Sequence, residues 1–295
     1  MTEYGVLLPR ATGPDPGRWF PDLADLARTA EGTGFSSLWV DDPSGPGQDG
    51  LEALTLLGGL GLHTSTVTLG VLADLASRPA GLLAKLVTTL DVVTGGRAAL
   101  GLGLVPGVRR ASAATPRSPS RHPDVSELEE AVAVCRALFA GDDVSFTGRH
   151  NRLEHARNLP RPLRPGGPIL MLGGPPSVLS SLLPSVARYA DRLGCTVEAE
   201  SLGPVVALHR RALEAAGRDT SEARVTWFVP AATGGAGPLT SARWGPDRLP
   251  EGVDEVVFDV GAGGPAAVVV AGARLGLDPP SRSAGAPTAP GSAAG

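Results

Sequence analysis

The chain is short of several residue types, and each shortage excludes something. It has two cysteines in 295 residues, Cys135 and Cys195, with no CxxC or histidine-rich spacing beside either. A disulfide framework and a structural zinc site are therefore disfavoured, and a reducing cytoplasm is the expected compartment. Lysine occurs once, at Lys85, so every other basic residue is arginine; 26 basic against 30 acidic residues leave a net charge of −4. The basic excess expected of a nucleic-acid binder is missing. No run reaches the ~18 uninterrupted apolar residues of a membrane span. The opening MTEYGVLLPR also lacks the basic start and long apolar core of a secretory leader. The five histidines, at 63, 122, 150, 155 and 209, show no metal spacing, so no metal is expected; no GxSxG elbow supports a hydrolase.

What is present is a regular alternation of short apolar runs with amphipathic ones. The apolar runs predict strands over 4–8, 36–40, 67–72, 98–103, 168–173, 193–197, 223–230 and 254–260. Helical periodicity falls between them, over 20–34, 51–62, 81–93, 126–141, 177–190 and 202–217, and again over 264–276. Strands this apolar have no wet face, which implies a parallel sheet covered by helices. Eight of them in a chain of this length match a closed (β/α)8 TIM barrel, typically ~250 residues long. A doubly wound open sheet is the alternative.

Two stretches break the pattern. Residues 104–125 are a Pro-, Ser- and Arg-rich loop, and 143–153 read as a short hairpin, so an insertion is expected after the fourth barrel strand. Between them Ser126 and Glu129 have the spacing of a capping box. The segment between the last two strands lacks a helical face, so that outer helix is expected to be short or missing. The barrel domain is taken as 1–277. The Pro/Ala/Gly-rich tail 278–295 cannot bury enough apolar surface to offset its ordering entropy and is expected to be disordered.

Chemistry in such a barrel sits at the carboxyl ends of the strands. There the sequence places Asp41-Asp42-Pro43, Ala73-Asp74, the loop from Leu104 to Arg110, Gly173-Gly174, and Glu198 and Glu200. The run ILMLGGPPS (169–177), strand to glycine turn to helix, is a plausible phosphate seat, because glycines admit an anion and a helix start offers free N–H groups. Pro175 and Pro176 each remove a donor, and a plain tight turn is the other reading. The GLGLVPG run (101–107) is a poor dinucleotide fingerprint, since its third glycine is late and no helix follows. Asp41, Asp42 and Asp74 are acid–base candidates or solvated caps. Arginines 149, 152, 157, 161 and 164 form a local positive cluster that could meet an anionic ligand or simply be surface. An aldo-keto-type site would need a Tyr–Lys–Asp–His set, for which only Tyr4, Tyr189 and Lys85 are on hand.

Three blocks, EGTGFSSLWVDDP (31–43), LLAKLVTTLDVVTGGRAALGLG (82–103) and the region 128–191, with its F-x-G-R-x-x-x-L and ILxxGG…ARYAD motifs, resemble the luciferase-like monooxygenase superfamily. Within it they are most similar to the coenzyme F420-dependent oxidoreductases, over roughly residues 4–275. The resemblance implies a barrel with an insertion, binding F420, or alternatively FMN, at the strands' carboxyl ends. It further implies hydride transfer to or from a small organic substrate, or monooxygenation by reduced FMN with dioxygen, and outer-helix pairing into a homodimer. Gly173, Gly174 and Ser177 match the family's cofactor-phosphate turn. Ala73 and Asp74 fall where relatives place a bulge, sometimes with a non-prolyl cis peptide, behind the cofactor ring. Asp42 and Asp74 are the implied catalytic candidates, and Arg109 or the 149–164 arginines would meet the cofactor's acidic tail. Two departures stand out: Pro43 replaces the histidine that usually follows the aspartate, and 105–109 lack the family's Gly-Trp-aromatic-Glu motif. These departures leave open a degenerate barrel acting as a binding or partner subunit of an active homologue.

Overall fold

The computed structural model describes residues 2–10, 14–42, 50–75, 78–104, 124–229, 251–261 and 264–278. The first half alternates β1 (Glu3–Leu7), α1 (Pro16–Thr33), β2 (Ser37–Asp41), α2 (Ala53–Gly61), β3 (Thr68–Ala73), α3 (Ala80–Val93) and β4 (Ala98–Leu102). After α4 (Val125–Ala140) a hairpin, β5 (Val144–Thr147) and β6 (Arg152–Ala156), interrupts the alternation. It resumes with β7 (Ile169–Gly174), α5 (Pro176–Tyr189), β8 (Arg192–Cys195), α6 (Ala199–Ala215), β9 (Arg224–Phe228), β10 (Glu255–Asp259) and α7 (Gly264–Leu275). Eight strands close in the order β1-β10-β9-β8-β7-β4-β3-β2, and each neighbouring pair is parallel. The fold is thus a (β/α)8 barrel with its insertion between β4 and β7, and the open-sheet alternative is excluded. The 230–250 segment, the tail from 279 and the 105–123 loop lie outside the described residues.

Successive side chains on a strand point to opposite faces, so each barrel strand feeds two apolar layers. One packs against the helices: Val6, Leu38, Val40, Leu69, Val71, Leu100, Leu170 and Leu172 are buried in the large outer cluster. The other fills the barrel with Leu7, Trp39, Leu72, Ala99, Ile169, Met171, Phe228 and Val257, to which Leu104 adds from just beyond β4. The rings of Trp39 and Phe228 meet edge to face at 5.6 Å. On the same inner face, toward the strands' amino ends, lies a polar layer. Arg192 pairs with Glu255, both almost wholly buried. Ser37 Oγ donates to Glu255 Oε1 at 2.5 Å, Thr226 Oγ1 to Oε2 at 2.9 Å, and Trp39 Nε1 to Ser37 Oγ at 3.1 Å. A carboxylate inside the barrel is tolerated because both its oxygens are occupied by donors.

Local expectations met the structure unevenly. Helix α1 starts four residues before its predicted 20, because Asp15 caps it, accepting from Gly17 N at 3.0 Å, and Pro16 supplies a pre-set first position. The expected capping box at α4 does not form. Asp124 occupies the cap position without a side-chain bond, Ser126 Oγ reaches His150 Nε2 at 2.9 Å, and Glu129 accepts from Ser185 Oγ of α5. Tertiary partners outcompeted the local pair. The hairpin is held by Glu130, which accepts from the amides of Arg149, His150 and Asn151 at 2.6–2.9 Å.

One buried base gives the fold a pH dependence. His209 of α6 is 1% exposed and donates Nε2–H to the Ala223 carbonyl at 3.0 Å, with Arg218 and Asp254 as its charged neighbours. Burial pushes its pKa below the ordinary 6.5. The unfolded chain therefore takes up a proton that the folded one refuses, and the stability held by the neutral ring is lost as pH falls below 6.5 toward the depressed value. In urea titrations from pH 7 to pH 5, the gap between wild type and His209→Gln should narrow; a constant gap would show the ring titrating alike in both states.

Candidate active site

The strands' carboxyl ends bring together residues from β1, β2, β3, β4, β7 and β8. Asp41 is paired across β3 with Leu72 and stands two positions beyond Trp39; both of these fill the barrel, so its side chain belongs to the inner face. Its Oδ2 accepts from Arg10 Nη2, just beyond β1, at 2.5 Å, and the side chain keeps 12% exposure. Burial, and then the charges of Asp42 and Asp74, push the Asp41 pKa up, against the pull of Arg10. Asp42 is the next residue and the more deeply buried, its side chain 1% exposed against the guanidinium of Arg78. Arg78 Nη2 also binds Glu52 Oε1 at 2.8 Å, and Glu52 caps α2 through the amides of Leu54 and Thr55. Asp42 thereby ties the end of β2 to the starts of α2 and α3.

Ala73 ends β3 fully buried, and Asp74 beyond it is half-buried. β3 pairs with β4 in unbroken register as far as Ala73–Leu102, and among the described residues the cis peptide is Leu159–Pro160, so the Ala73–Asp74 bond is trans. Regular pairing satisfies both strands' amides here, which leaves no extra residue to kink the chain.

The glycines pack more tightly than a phosphate seat requires. Gly103 turns β4 with φ +77°, and this turn sends Leu104 back into the barrel over β7 and β8. A Cβ on Gly173 would stand 2.2 Å from the Gly194 carbonyl oxygen and 2.8 Å from Leu104 Cγ; one on Gly194 would stand 2.1 Å from Leu104 Cδ1. Gly174 faces Val178 and Leu182 of its own helix. The inner side of the pair is filled by Gly194 and Leu104 and the outer side by Val178 and Leu182, so the exposed part of this turn is the helix start that follows. There α5 begins without a side-chain cap, Pro175 and Pro176 carry no N–H, and Ser177 is exposed with its amide and hydroxyl. The helix start thus fits a phosphate through Ser177, with the glycines letting the strands approach rather than touching the anion.

Other sequence candidates disperse. Arg109 and Pro43 lie outside the described residues. The arginine cluster splits between the two ends of the barrel. Arg149 sits at the hairpin tip beside the second turn of α4, near the strands' carboxyl ends. Arg161 binds Asp142 and the Phe139 carbonyl past the end of α4, and the Arg164 amide binds Asp91 near the end of α3, so both lie at the opposite end. Arg152 is paired with Glu154. Tyr4 stacks on Phe258 in the outer layer, Tyr189 ends α5, and Lys85 Nζ binds the Leu159 carbonyl, so no aldo-keto set assembles. Burial pushes both cysteine thiols up to about 12, which removes them as nucleophiles near neutral pH. No cluster of metal-ligating side chains occurs among the described residues, and no described helix is long and apolar enough to cross a membrane. A groove of about 370 Å³ lies on the outer surface between α2 and α3, bounded at one end by Arg78 and Glu52 and lined by Leu86, Leu90 and Val93. Arg10 and Arg78 carry no sequence signal, since each takes its place only through a partner on another strand or helix, and the sequence marked Leu104 only as the start of a strand-end loop.

Fold and rim define a class: a closed parallel barrel whose carboxyl-end rim carries buried carboxylates and an uncapped helix start. The model of the luciferase-like monooxygenase family matches residues 2–235, and the chain belongs to that family. Among curated relatives, an F420-dependent glucose-6-phosphate dehydrogenase of Kineococcus radiotolerans is 31% identical over 212 residues, covering 66% of this chain and 59% of that protein. The chain spans little more than half the length of the relatives of this kind that it matches. The coenzyme F420 dependent tetrahydromethanopterin reductase of Methanopyrus kandleri superimposes with a TM-score of 0.70 at 16% identity, over 93% of this chain and 98% of that one. An F420-dependent secondary alcohol dehydrogenase, solved with an F420–acetone adduct, gives 0.70 at 16% identity over 94% and 98%. At these identities the two structures bear on the fold.

Proposed function

We propose that this protein is an oxidoreductase moving hydride between coenzyme F420 and a small organic substrate in the cytoplasm, with FMN as the second cofactor option. The observation that carries this is the uncapped start of α5 with exposed Ser177, on the same carboxyl rim as the ends of β2 and β3, in a barrel whose curated relatives are named F420-dependent dehydrogenases. A bound deazaflavin supplies the hydride chemistry itself, so the protein must position it, hold its phosphate and exclude water. Ser177 would donate to the phosphate from its amide and hydroxyl. Ala73 and Asp74, at the end of β3, would border the ring through their backbone, since the inward side chain there is that of Leu72. Leu104 and Leu72 give that end of the barrel an apolar floor that keeps water from below. Asp42, locked to Arg78, would hold the end of β2 in place.

The test is a fluorescence titration of the full chain with F420 and with FMN, followed by turnover with glucose 6-phosphate and 2-propanol as probe substrates. Ser177→Asp puts a negative charge where the phosphate should sit and is expected to weaken F420 binding about tenfold or more. Unchanged affinity would remove the α5 start from the site. A wild type that binds neither cofactor would favour the degenerate-barrel alternative, to which the missing histidine after Asp42 also points.

A further inference from the structure

Asp42 and Asp74 are the carboxylates that the family resemblance implies, yet the surroundings of Asp42 suit an anchor. It is buried, held by Arg78, and linked through Arg78 and Glu52 to two helix starts. Its neighbour Asp41 differs in each respect. It lies on the inner face, beside Leu72 and one register step from Ala73. Its ion pair is with Arg10, an exposed arginine just beyond β1, and it retains some access to solvent. We infer that Asp41 is the carboxyl group that exchanges a proton with the substrate at this rim, an assignment that rests on the oxidoreductase reading above.

The chemistry asks for such a group. When a carbinol carbon gives up hydride to the deazaflavin, its O–H bond must break, the O–H electron pair closing the carbonyl while the proton passes to a base; carbonyl reduction runs the reverse way. A carboxylate within reach of that oxygen serves as the base, and its protonated form as the acid. Such a group works better the closer its pKa lies to the working pH, and burial together with Asp42 and Asp74 pushes Asp41 in that direction. The charged groups around it are Arg10 from β1, Asp42 with Arg78 and Glu52 behind it, and Asp74 from β3. Arg10 moderates the shift without abolishing it.

Carbon-13 carboxyl NMR of the full chain, titrated with and without F420, tests the assignment, with binding itself followed by fluorescence. The Asp41 resonance, identified by its loss in Asp41→Asn, should titrate above the ordinary 3.8 and shift its midpoint when F420 binds. Asp41→Asn should bind F420 within about threefold of wild type and turn over 2-propanol or glucose 6-phosphate about 100-fold or more slowly. Asp41→Glu should recover part of the rate with a displaced pH profile. A resonance that titrates at the ordinary value, or ignores bound F420, overturns the assignment whether or not either probe is turned over; so does an asparagine variant with full rate. Wild type without F420 binding overturns the functional reading itself, a result the fluorescence arm reports separately.

Discussion

Arg192→Met is expected to lower the unfolding free energy by about 3–5 kcal/mol, measured by urea or guanidinium denaturation near neutral pH. The guanidinium pairs with Glu255 inside the barrel, where the carboxylate's other donors are the hydroxyls of Ser37 and Thr226. Removing the arginine leaves an ionised group that those two neutral donors cannot compensate in a dry interior. The control is the double variant Arg192→Met, Glu255→Leu, which removes both charges; it should be more stable than the single variant. If the two are equally damaged, the loss comes from packing, and the ion pair contributes little. The pair sits at the strands' amino ends, away from the carboxyl rim, so the folded fraction of the single variant should keep its cofactor affinity.

Gly173→Ala is the second large effect, and it separates two explanations of the glycine turn. The added methyl would press on the Gly194 carbonyl oxygen, which is backbone, and on Leu104. Neither can yield without moving β8 or lifting Leu104 out of the barrel, so a loss of about 3 kcal/mol is expected. Gly174→Ala meets only the flexible ends of Val178 and Leu182 and should cost about 1 kcal/mol. Were Gly173 there to admit a phosphate, its alanine variant would unfold like wild type and lose cofactor affinity alone; thermal denaturation beside an F420 titration distinguishes the outcomes.

The legible part of this protein is the part written in short periods. Each apolar run predicted as a barrel strand became one, because a strand buried on both faces needs four to six consecutive apolar residues whatever lies elsewhere. Helix boundaries were less secure. The Asp15-Pro16 start of α1 reads equally well as a turn, and the Ser126–Glu129 spacing of α4 lost to partners on the hairpin and on α5. The ILMLGGPPS turn was visible as strand, glycines and helix, but whether Gly173 faces a ligand or Gly194 depends on how near β8 comes.

The site shows the same division. Sequence alone settled that apolar strands alternate with helices, that its acidic residues collect after β2 and β3, and that a glycine turn opens a helix after β7, because these follow from patterns within about ten residues; closure of the sheet into a barrel did not. Which of Asp41 and Asp42 faces the barrel, that Arg10 and Arg78 divide the two between them, that Leu104 folds back to floor the rim, and that Arg149 of the hairpin lies at the end opposite to Arg161 and Arg164 were decided only by the closed barrel. A strand's alternation says that neighbours point apart. Which of the two points inward depends on the register of the whole ring, and that register is set by contacts between residues far apart in the chain.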